Sequence, residues 1–338
     1  MMKSLFTVAA LHLGLALAAG CEGAPMEDGR ADLAGPDDLA LPPDASIIDG
    51  GAAFDLEPPG PDLGRPPPQI FSVIGDFGSG DGNELQVSQL VKMWQPDFVL
   101  TTGDNNYPSG DPGMMDKNIG QFYSEFIGHY QGRYGPGSPF NRFWPSIGNH
   151  EYYSCDCLQP YFDYFPDLPG NKRYYDVAIG RVHLFAVNSG KGEGPGTGEP
   201  DGTTANSKQA AWLKAALAAS TACYKIVYFH IPPFSSVGQF TDPNMNWPFV
   251  EWGADLVLMG HAHVYERMDI DGVPYMINGL GGANHFGFVG PILPNSKVRF
   301  SDDFGAIRAE AGDHGMKLEF ITIARKLVDT YVVAKECH

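Results

Sequence analysis

Five short apolar segments of the chain are each followed by side chains of the types that bind metal ions. The candidate ligands are Asp76, Asp104, Tyr107, Asn149, His230, His261 and His263. A single Asp after a strand is more often a helix cap, and a single His is more often a core residue. Because the pattern recurs after all five segments, it favours metal binding. Two metal ions about 3.5–4 Å apart can clamp a phosphate ester and activate water for its hydrolysis.

The spacing of these residues suggests how two ions would share them. Asp104 is the natural bridging anion, since two neighbouring cations need a shared negative group between them. Tyr107 follows Asp104 by three residues, which brings the two side chains together if the chain turns helically after the strand. His261 and His263 are two residues apart, so in an extended segment both point to the same side. We therefore expect the two histidines to serve neighbouring metals.

The apolar segments predict β-strands, and the stretches between some of them predict helices. The five predicted strands lie in IFSVIGD, DFVLTTGD, FWPSIGNHE, YKIVYFH and DLVLMGHAH, and amphipathic helices are predicted over 83–94 and 205–220. Alternation of strand and helix is typical of an α/β sheet, in which ligands bind at the carboxyl ends of the strands. All the candidate ligands follow strand ends, so the predicted fold would bring them together.

The same residues carry a resemblance to a known family. The segments GDFG, GDNNY, GNHE and GHAH, with the histidine that closes VYFH, resemble in order the motifs of the calcineurin-like metallophosphoesterases. Tyr107, the tyrosine that ends GDNNY, is similar to the motif tyrosine of the purple acid phosphatases, which form one branch of this family. The resemblance spans residues 70 to about 285, and YER follows its last motif. It implies an α/β fold in which two β-sheets pack as a sandwich with helices outside.

The resemblance also implies an assignment of the ligands to two metals. Asp76, Tyr107 and His263 would hold the first metal, Asn149, His230 and His261 the second, and Asp104 would bridge both. In that branch the first metal is Fe(III) and the second is Fe, Zn or Mn. A tyrosinate oxygen is a hard ligand, which suits Fe(III) better than it suits a soft metal.

His150 is the candidate catalytic residue. It is no metal ligand in the pattern, and beside Asn149 it would face the substrate, where an imidazole can bind phosphate or protonate the leaving alkoxide; a structural histidine bonded to its own loop is the alternative. Relatives usually carry another histidine about nine residues after the VxxH histidine, where this chain has Gln239. The leaving-group acid is therefore open. His285 is a possible substitute, although a surface loop histidine is the stronger interpretation.

The N-terminal region predicts export. Residues 1–20 have the charged start, apolar stretch and small-residue cleavage site of a signal peptide, and the apolar stretch is shorter than the roughly 20 residues of a membrane span. The residues before Cys21 resemble a bacterial lipobox, which predicts a lipid on Cys21; a secreted protein is the alternative. Residues 21–69 are rich in Pro, Asp and Glu and predict a disordered acidic tether. Residues 70–338 form the predicted catalytic domain.

The net charge of the chain limits the kinds of molecule that it is expected to bind. The formal net charge of −18 makes a nucleic-acid polymer an unexpected partner, because phosphate backbones are bound mainly by Lys and Arg. A small phosphate ester remains compatible if metal ions supply the positive charge.

Besides Cys21 the chain contains Cys155, Cys157, Cys223 and Cys337, which in an oxidising compartment allow two disulfides in three possible pairings. Oligomeric state is left open.

The function predicted from these features is metal-dependent hydrolysis of phosphomonoesters, with a metal-bound hydroxide attacking phosphorus in line. Two alternatives use the same fold. The site could act on phosphodiesters or nucleotides, since pocket shape decides that choice. A non-catalytic surface binding module is the other alternative, but such a module is expected to have lost ligands, whereas all seven candidate positions are filled.

Overall fold

The computed structural model describes residues 67–154, 157–190 and 198–337. The predicted signal peptide, the lipid site at Cys21 and nearly all of the predicted tether lie outside these residues, as does Cys155. The first strand begins at Gln69, one residue before the predicted start of the catalytic domain. In the described part of the chain, no helix has both the length and the apolar character needed to cross a membrane.

Two mixed β-sheets form the centre of the domain. The strands are β1 (Gln69–Ile74), β2 (Phe98–Thr101), β3 (Phe143–Pro145), β4 (Tyr175–Ile179), β5 (Val182–Ala186), β6 (Tyr224–Tyr228), β7 (Leu256–Met259), β8 (Tyr265–Ile270), β9 (Val273–Asn278), β10 (Ser296–Phe300), β11 (Gly305–Ala311), β12 (Met316–Thr322) and β13 (Leu327–Val333). The first sheet has the order β13-β12-β11-β1-β2-β3 and the second β10-β8-β9-β7-β6-β5-β4. The helices are α1 (Gly82–Met93), α2 (Pro112–Met115), α3 (Gln121–Tyr123), α4 (Gln159–Tyr164) and α5 (Lys208–Ala219), with a π-helical turn at Asp116–Gly120 and 3₁₀ turns at Ser124–Phe126, His150–Tyr152 and Pro243–Met245.

The five strands predicted from the sequence are β1, β2, β3, β6 and β7, and both predicted helices are present. Strand β2 lies parallel to β1 and to β3, and β6 lies parallel to β7. Helix α1 starts after Asp81, whose side chain accepts from the backbone of Asn83 and Glu84. Helix α5 starts at Lys208, later than predicted, because Ser207 adopts an extended conformation and caps it through Ala210.

The two sheets share one apolar core, which confirms the predicted sandwich. Phe71 and Val73 of the first sheet and Ile226 and Leu258 of the second belong to the same buried cluster. Alternate residues of the second sheet point the other way and form a second cluster with helix α5, which covers that face. Because both faces of the second sheet are buried, its central strands β6 and β7 read as nearly continuous apolar runs.

The C-terminal third of the domain is mostly antiparallel, which the sequence pattern did not predict. Strands β11, β12 and β13 pair antiparallel with each other and extend the first sheet from β1. A disulfide joins Cys223 to Cys337 and so fastens the end of the chain beside β6. Cys157 is disulfide-bonded as well.

Candidate metal centre

The carboxyl ends of the predicted strands bring the candidate ligands together. Atoms of Asp104, His230 and His261 lie within 4.8 Å of one another, and so do atoms of Asp76, Asp104 and His263. Asp104 belongs to both groups, as the bridging role requires. The two groups also adjoin each other, since His230 Nε2 lies 3.9 Å from Asp76 Oδ1 and the backbone N–H of His261 donates to Asp76 Oδ2 at 2.8 Å.

The two remaining candidates complete these groups. The Tyr107 hydroxyl lies 3.2 Å from Asp76 Oδ1, 3.0 Å from Asp104 Oδ2 and 3.1 Å from His263 Nε2. Asn149 Oδ1 lies 3.1 Å from His230 Nε2 in the other group. The structure therefore brings all seven candidate residues together, with Tyr107 beside the Asp76–Asp104–His263 group and Asn149 beside the Asp104–His230–His261 group.

Burial of these charged groups is the strongest indication that a cation belongs among them. The exposed fractions are 0% for Asp76, 1% for Asp104, 0% for His230 and 5% for His263. A buried carboxylate is costly unless it is paired or coordinates a metal. A mixed set of carboxylate, phenol, amide and imidazole donors also suits iron, zinc or manganese. The donor set and its burial thus fit two metal ions.

Hydrogen bonds to the backbone orient two of the histidines towards the centre. The Nδ1 atom of His230 donates to Thr102 O at 2.8 Å, and Nδ1 of His263 donates to Asn284 O at 2.5 Å. With the proton on Nδ1, the lone pair of each Nε2 faces the carboxylates, as a metal ligand requires. His261 Nδ1 lies 3.1 Å from His230 Nε2, so two acceptor nitrogens face each other unless a proton or a cation stands between them.

The carboxylates and histidines strongly shift one another's proton affinity. Burial raises the pKa of Asp104, but the charge of His230, the hydrogen bond from it, and the charges of His150 and His261 together hold that pKa well below its usual value. Burial lowers the pKa of His230, but Asp104 and Asp76 outweigh it and raise the pKa to about 9. Burial and the neighbouring His230 lower the pKa of His261 to about 4. A bound cation would take the place of these protons, since its charge dominates such a site.

Tyr107 is electrostatically unusual in the absence of a cation. Burial, and then the charges of Asp104 and Asp76, raise the pKa of Tyr107 well above its usual value. The phenol therefore stays protonated beside carboxylates alone. A metal ion at the Asp76–Asp104–His263 position would reverse the sign of the local charge and favour the phenolate.

The ligand loops adopt backbone conformations that the sequence pattern did not reveal. Asp76, Asp104 and His261 have φ values of 54°, 52° and 66°, which non-glycine residues rarely adopt and which cluster at functional sites. The glycines of the motifs permit close packing of these loops. A Cβ on Gly148 would lie 2.1 Å from Asp104 Oδ1, and one on Gly260 would lie 2.6 Å from Asp76 Oδ2.

Two local geometries differ from the prediction, although the side chains still meet. The segment after β2 is irregular, since Asp104 is left-handed and no helical turn joins Asp104 to Tyr107. The GHAH segment is also not extended. Strand β7 ends at Met259, and a left-handed His261 followed by tight turns directs the two histidines to different groups.

Glu151 links the two central ligand loops, a role that the sequence pattern did not assign. Its carboxylate accepts from the backbone N–H of Asn105 at 2.8 Å and of Gly148 at 2.6 Å. These residues flank Asp104 and Asn149 along the chain. Glu151 is only 2% exposed, and burial, followed by the charge of Asp104, raises its pKa to about 7. The acidic residue that ends GNHE is the signal that could have identified this link.

His150, the candidate catalytic residue, lies at the edge of the centre and is only partly buried. Its Nδ1 atom donates to Pro108 O at 2.8 Å, and its Nε2 atom lies 3.7 Å from Asp104 Oδ2. The ring packs between Tyr107 and Tyr153, with centroids 4.3 and 4.7 Å away. The Tyr153 hydroxyl also accepts from Asn149 Nδ2 at 2.7 Å, a contact that the sequence did not predict.

The other histidine considered from the sequence does not lie free on the surface. His285 is half-buried, its ring centroid lies 3.9 Å from that of Phe304, and burial lowers its pKa. The side chain of Gln239 is exposed. Its neighbour Phe240 contacts the centre instead, with its ring centroid 5.7 Å from that of His261.

Comparison with known sequences supports the motifs. The family model for the calcineurin-like phosphoesterases matches residues 71–265, more than half of the chain. Purple acid phosphatase 17 of Arabidopsis thaliana is 26% identical over 294 residues, which cover 79% of this chain and 84% of that protein. A purple acid phosphatase of Glycine max is 25% identical over 65% of this chain, and the match spans about half (48%) of the soybean protein's own length.

Comparison with solved structures supports the fold. A purple acid phosphatase, PPD1, from Lupinus luteus seeds superimposes with a TM-score of 0.61 at 18% identity, over 80% of this chain and 54% of that one. GAP50 of Plasmodium, described as the anchor in the inner membrane complex, superimposes with a TM-score of 0.60 at 16% identity, over 80% and 90% of the two chains. The family match and the ordered motifs lead to one conclusion: the chain belongs to the calcineurin-like phosphoesterase family, with purple acid phosphatases among its relatives.

Proposed function

We propose that this protein is a dinuclear metal-dependent hydrolase of phosphomonoesters. The observation that carries the proposal is the sharing of Asp104 between the Asp104–His230–His261 and Asp76–Asp104–His263 groups. Two bound metal ions would neutralise the charge of the phosphate and make water a stronger nucleophile. Neutralising the phosphate charge and activating water are the two effects expected of the metal ions in a hydrolase of this family.

The protein's own side chains would divide the remaining work. Asp104 keeps the two ligand groups at a fixed separation, and His230 and His263 are held by backbone carbonyls, so little reorganisation is needed on metal binding. In its imidazolium form His150 would donate from Nε2 to a phosphate oxygen or to the leaving group, while its Nδ1 proton stays bonded to Pro108 O. His150 would thus also supply the leaving-group acid, which relatives have as a histidine at the position of Gln239.

We propose Fe(III) at the position that includes Tyr107, and iron, zinc or manganese at the position that includes Asn149. The phenol oxygen of Tyr107 is a hard donor. It lies beside Asp76 Oδ1 and His263 Nε2, the atoms proposed to hold the first metal. The proposal also includes export of the protein and a lipid on Cys21, which would hold the catalytic domain at a membrane surface.

The proposal is tested by metal analysis of the purified protein, followed by parallel assays of a phosphomonoester and a phosphodiester. We expect two metal ions per chain and faster turnover of the monoester. Asp104→Asn keeps the size of the side chain but removes its charge, and should reduce turnover by at least about a hundredfold, since both metals depend on it. One metal ion per chain would contradict the dinuclear centre, and faster turnover of the diester would contradict the substrate assignment.

A further inference from the structure

Aromatic rings continue outward from the metal centre on its histidine side. The ring of Phe286 stacks on His263 with a centroid distance of 4.2 Å and an interplanar angle of 0°. Phe240 stacks on Phe286 at 4.6 Å and 21°, and meets His261 edge-on at 5.7 Å. Both phenylalanines are only partly buried. A ligand histidine and two phenylalanines thus form one ring stack that reaches solvent.

The backbone places Phe240 in this position against its own preference. Phe240 has a φ of 61°, which is a rare conformation for a bulky residue and one that persists only where the surroundings enforce it. Strain of this kind clusters at sites of function.

Two loops, 234–240 and 285–293, hold the rings and are fastened to each other. Glu266 is completely buried, and its carboxylate accepts from Ser235 Oγ at 3.0 Å, Ser236 N at 2.8 Å and Ser296 Oγ at 2.7 Å. The backbones of Gly238 and Gly290 approach so closely that a Cβ on Gly290 would lie 2.5 Å from Gly238 Cα. Because the loops are held in this way, the ring surface is formed before any ligand arrives.

The same region exposes further apolar side chains. Val289 and Ile292 of the second loop are 79% and 62% exposed. Contiguous exposed apolar surface in a soluble domain commonly marks a ligand or partner site. Val289 and Ile292 follow Phe286 in the same loop, so the loop that carries the ring beside His263 also carries exposed apolar side chains.

We infer that the Phe240–Phe286 ring stack binds the organic part of the substrate and makes the site selective for phosphate monoesters that carry an aromatic group. This inference rests on the proposed function for the phosphate, and extends it to the rest of the substrate. The phosphate lies at the metals, and an aromatic substituent stacks on Phe240. Small hydrophilic esters, such as glycerol phosphate, gain nothing from this surface.

Binding of phosphonates separates ring recognition from catalysis, because their carbon–phosphorus bond is not hydrolysed by a phosphatase. Calorimetry on the metal-loaded protein would compare benzylphosphonate with methylphosphonate. We expect benzylphosphonate to bind about tenfold more tightly, as expected from one aromatic stack together with the area it buries. Phe240→Asn should remove most of this preference without changing methylphosphonate binding, since Asn tolerates the left-handed backbone of this position.

Phe140→Asn is the matched control, because Phe140 is 65% exposed and lies in a different loop, between β2 and β3. It should leave the preference unchanged. Equal binding of the two phosphonates by the wild type, absence of binding, or an unchanged preference in Phe240→Asn would overturn the inference.

Turnover of phenyl phosphate and glycerol 2-phosphate distinguishes the two proposals. The inference predicts that Phe240→Asn lowers kcat/KM for phenyl phosphate about tenfold and for glycerol 2-phosphate less than twofold. Equal losses for both esters would contradict the aromatic surface alone. Selective benzylphosphonate binding without turnover of either ester would contradict the hydrolase and leave the aromatic surface standing.

Discussion

Replacement of Glu151 by Ala should destabilise the domain strongly, because it leaves two buried donors without a partner. The carboxylate accepts from Asn105 N and Gly148 N, and it is 2% exposed. A buried donor without a partner costs about 1–3 kcal/mol, so the two together would cost about 2–6 kcal/mol.

Part of that loss is offset, since the buried carboxylate is itself unfavourable. Burial and then Asp104 raise the pKa of Glu151 to about 7, which shows that its charged form is disfavoured in this position. We therefore expect a net loss of about 2–4 kcal/mol in the free energy of unfolding. A typical domain has only about 5–15 kcal/mol in total. Glu151→Gln retains one acceptor oxygen and should lose roughly half as much.

Urea unfolding of the metal-loaded protein would measure these changes. Glu125→Ala is the control, because Glu125 is 53% exposed and pairs with Lys92 at 2.9 Å. An exposed ion pair of this kind is worth about 0–1 kcal/mol. The reasoning also predicts weaker metal binding by Glu151→Ala, since Asn105 and Gly148 flank two ligands. If Glu151→Ala were no less stable than Glu125→Ala and bound both metals equally well, the link between the loops would be refuted.

Three further predictions follow from other parts of the molecule. Tyr107→Phe should abolish the visible absorption expected of a tyrosinate–Fe(III) pair, while thermal unfolding changes little, because the ring keeps its contact with His150; a colourless wild type that contains only zinc would contradict the iron assignment. Joint replacement of Cys223 and Cys337 by Ser should lower the unfolding free energy by about 2–5 kcal/mol, since the bond closes a loop of 114 residues; urea unfolding at an unchanged midpoint would contradict it. Removal of residues 22–66, which ends before strand β1, should leave kcat/KM unchanged, and a large loss in an activity assay would show that this segment contributes to the site.

The order and types of the motif residues were sufficient to predict that these side chains lie together. Each ligand follows a short apolar run, and in a sheet with parallel strands the carboxyl ends meet at one edge, so the residue types alone predicted a common site. The five strands and two helices recovered from the sequence are the elements whose apolar pattern is locally complete. The antiparallel strands β10 to β13 were not recovered, because their partners are selected by contacts far apart in the sequence.

Only the tertiary structure determined how the ligands face one another. The left-handed conformations of Asp104 and His261 depend on packing between loops, and they replace the helical turn and extended segment that the spacing suggested. The same holds for Glu151 and Phe240, whose roles arise from residues distant along the chain. Sequence spacing reports which side chains can meet along one segment, whereas the orientation of a side chain in a site is set by every loop packed against it.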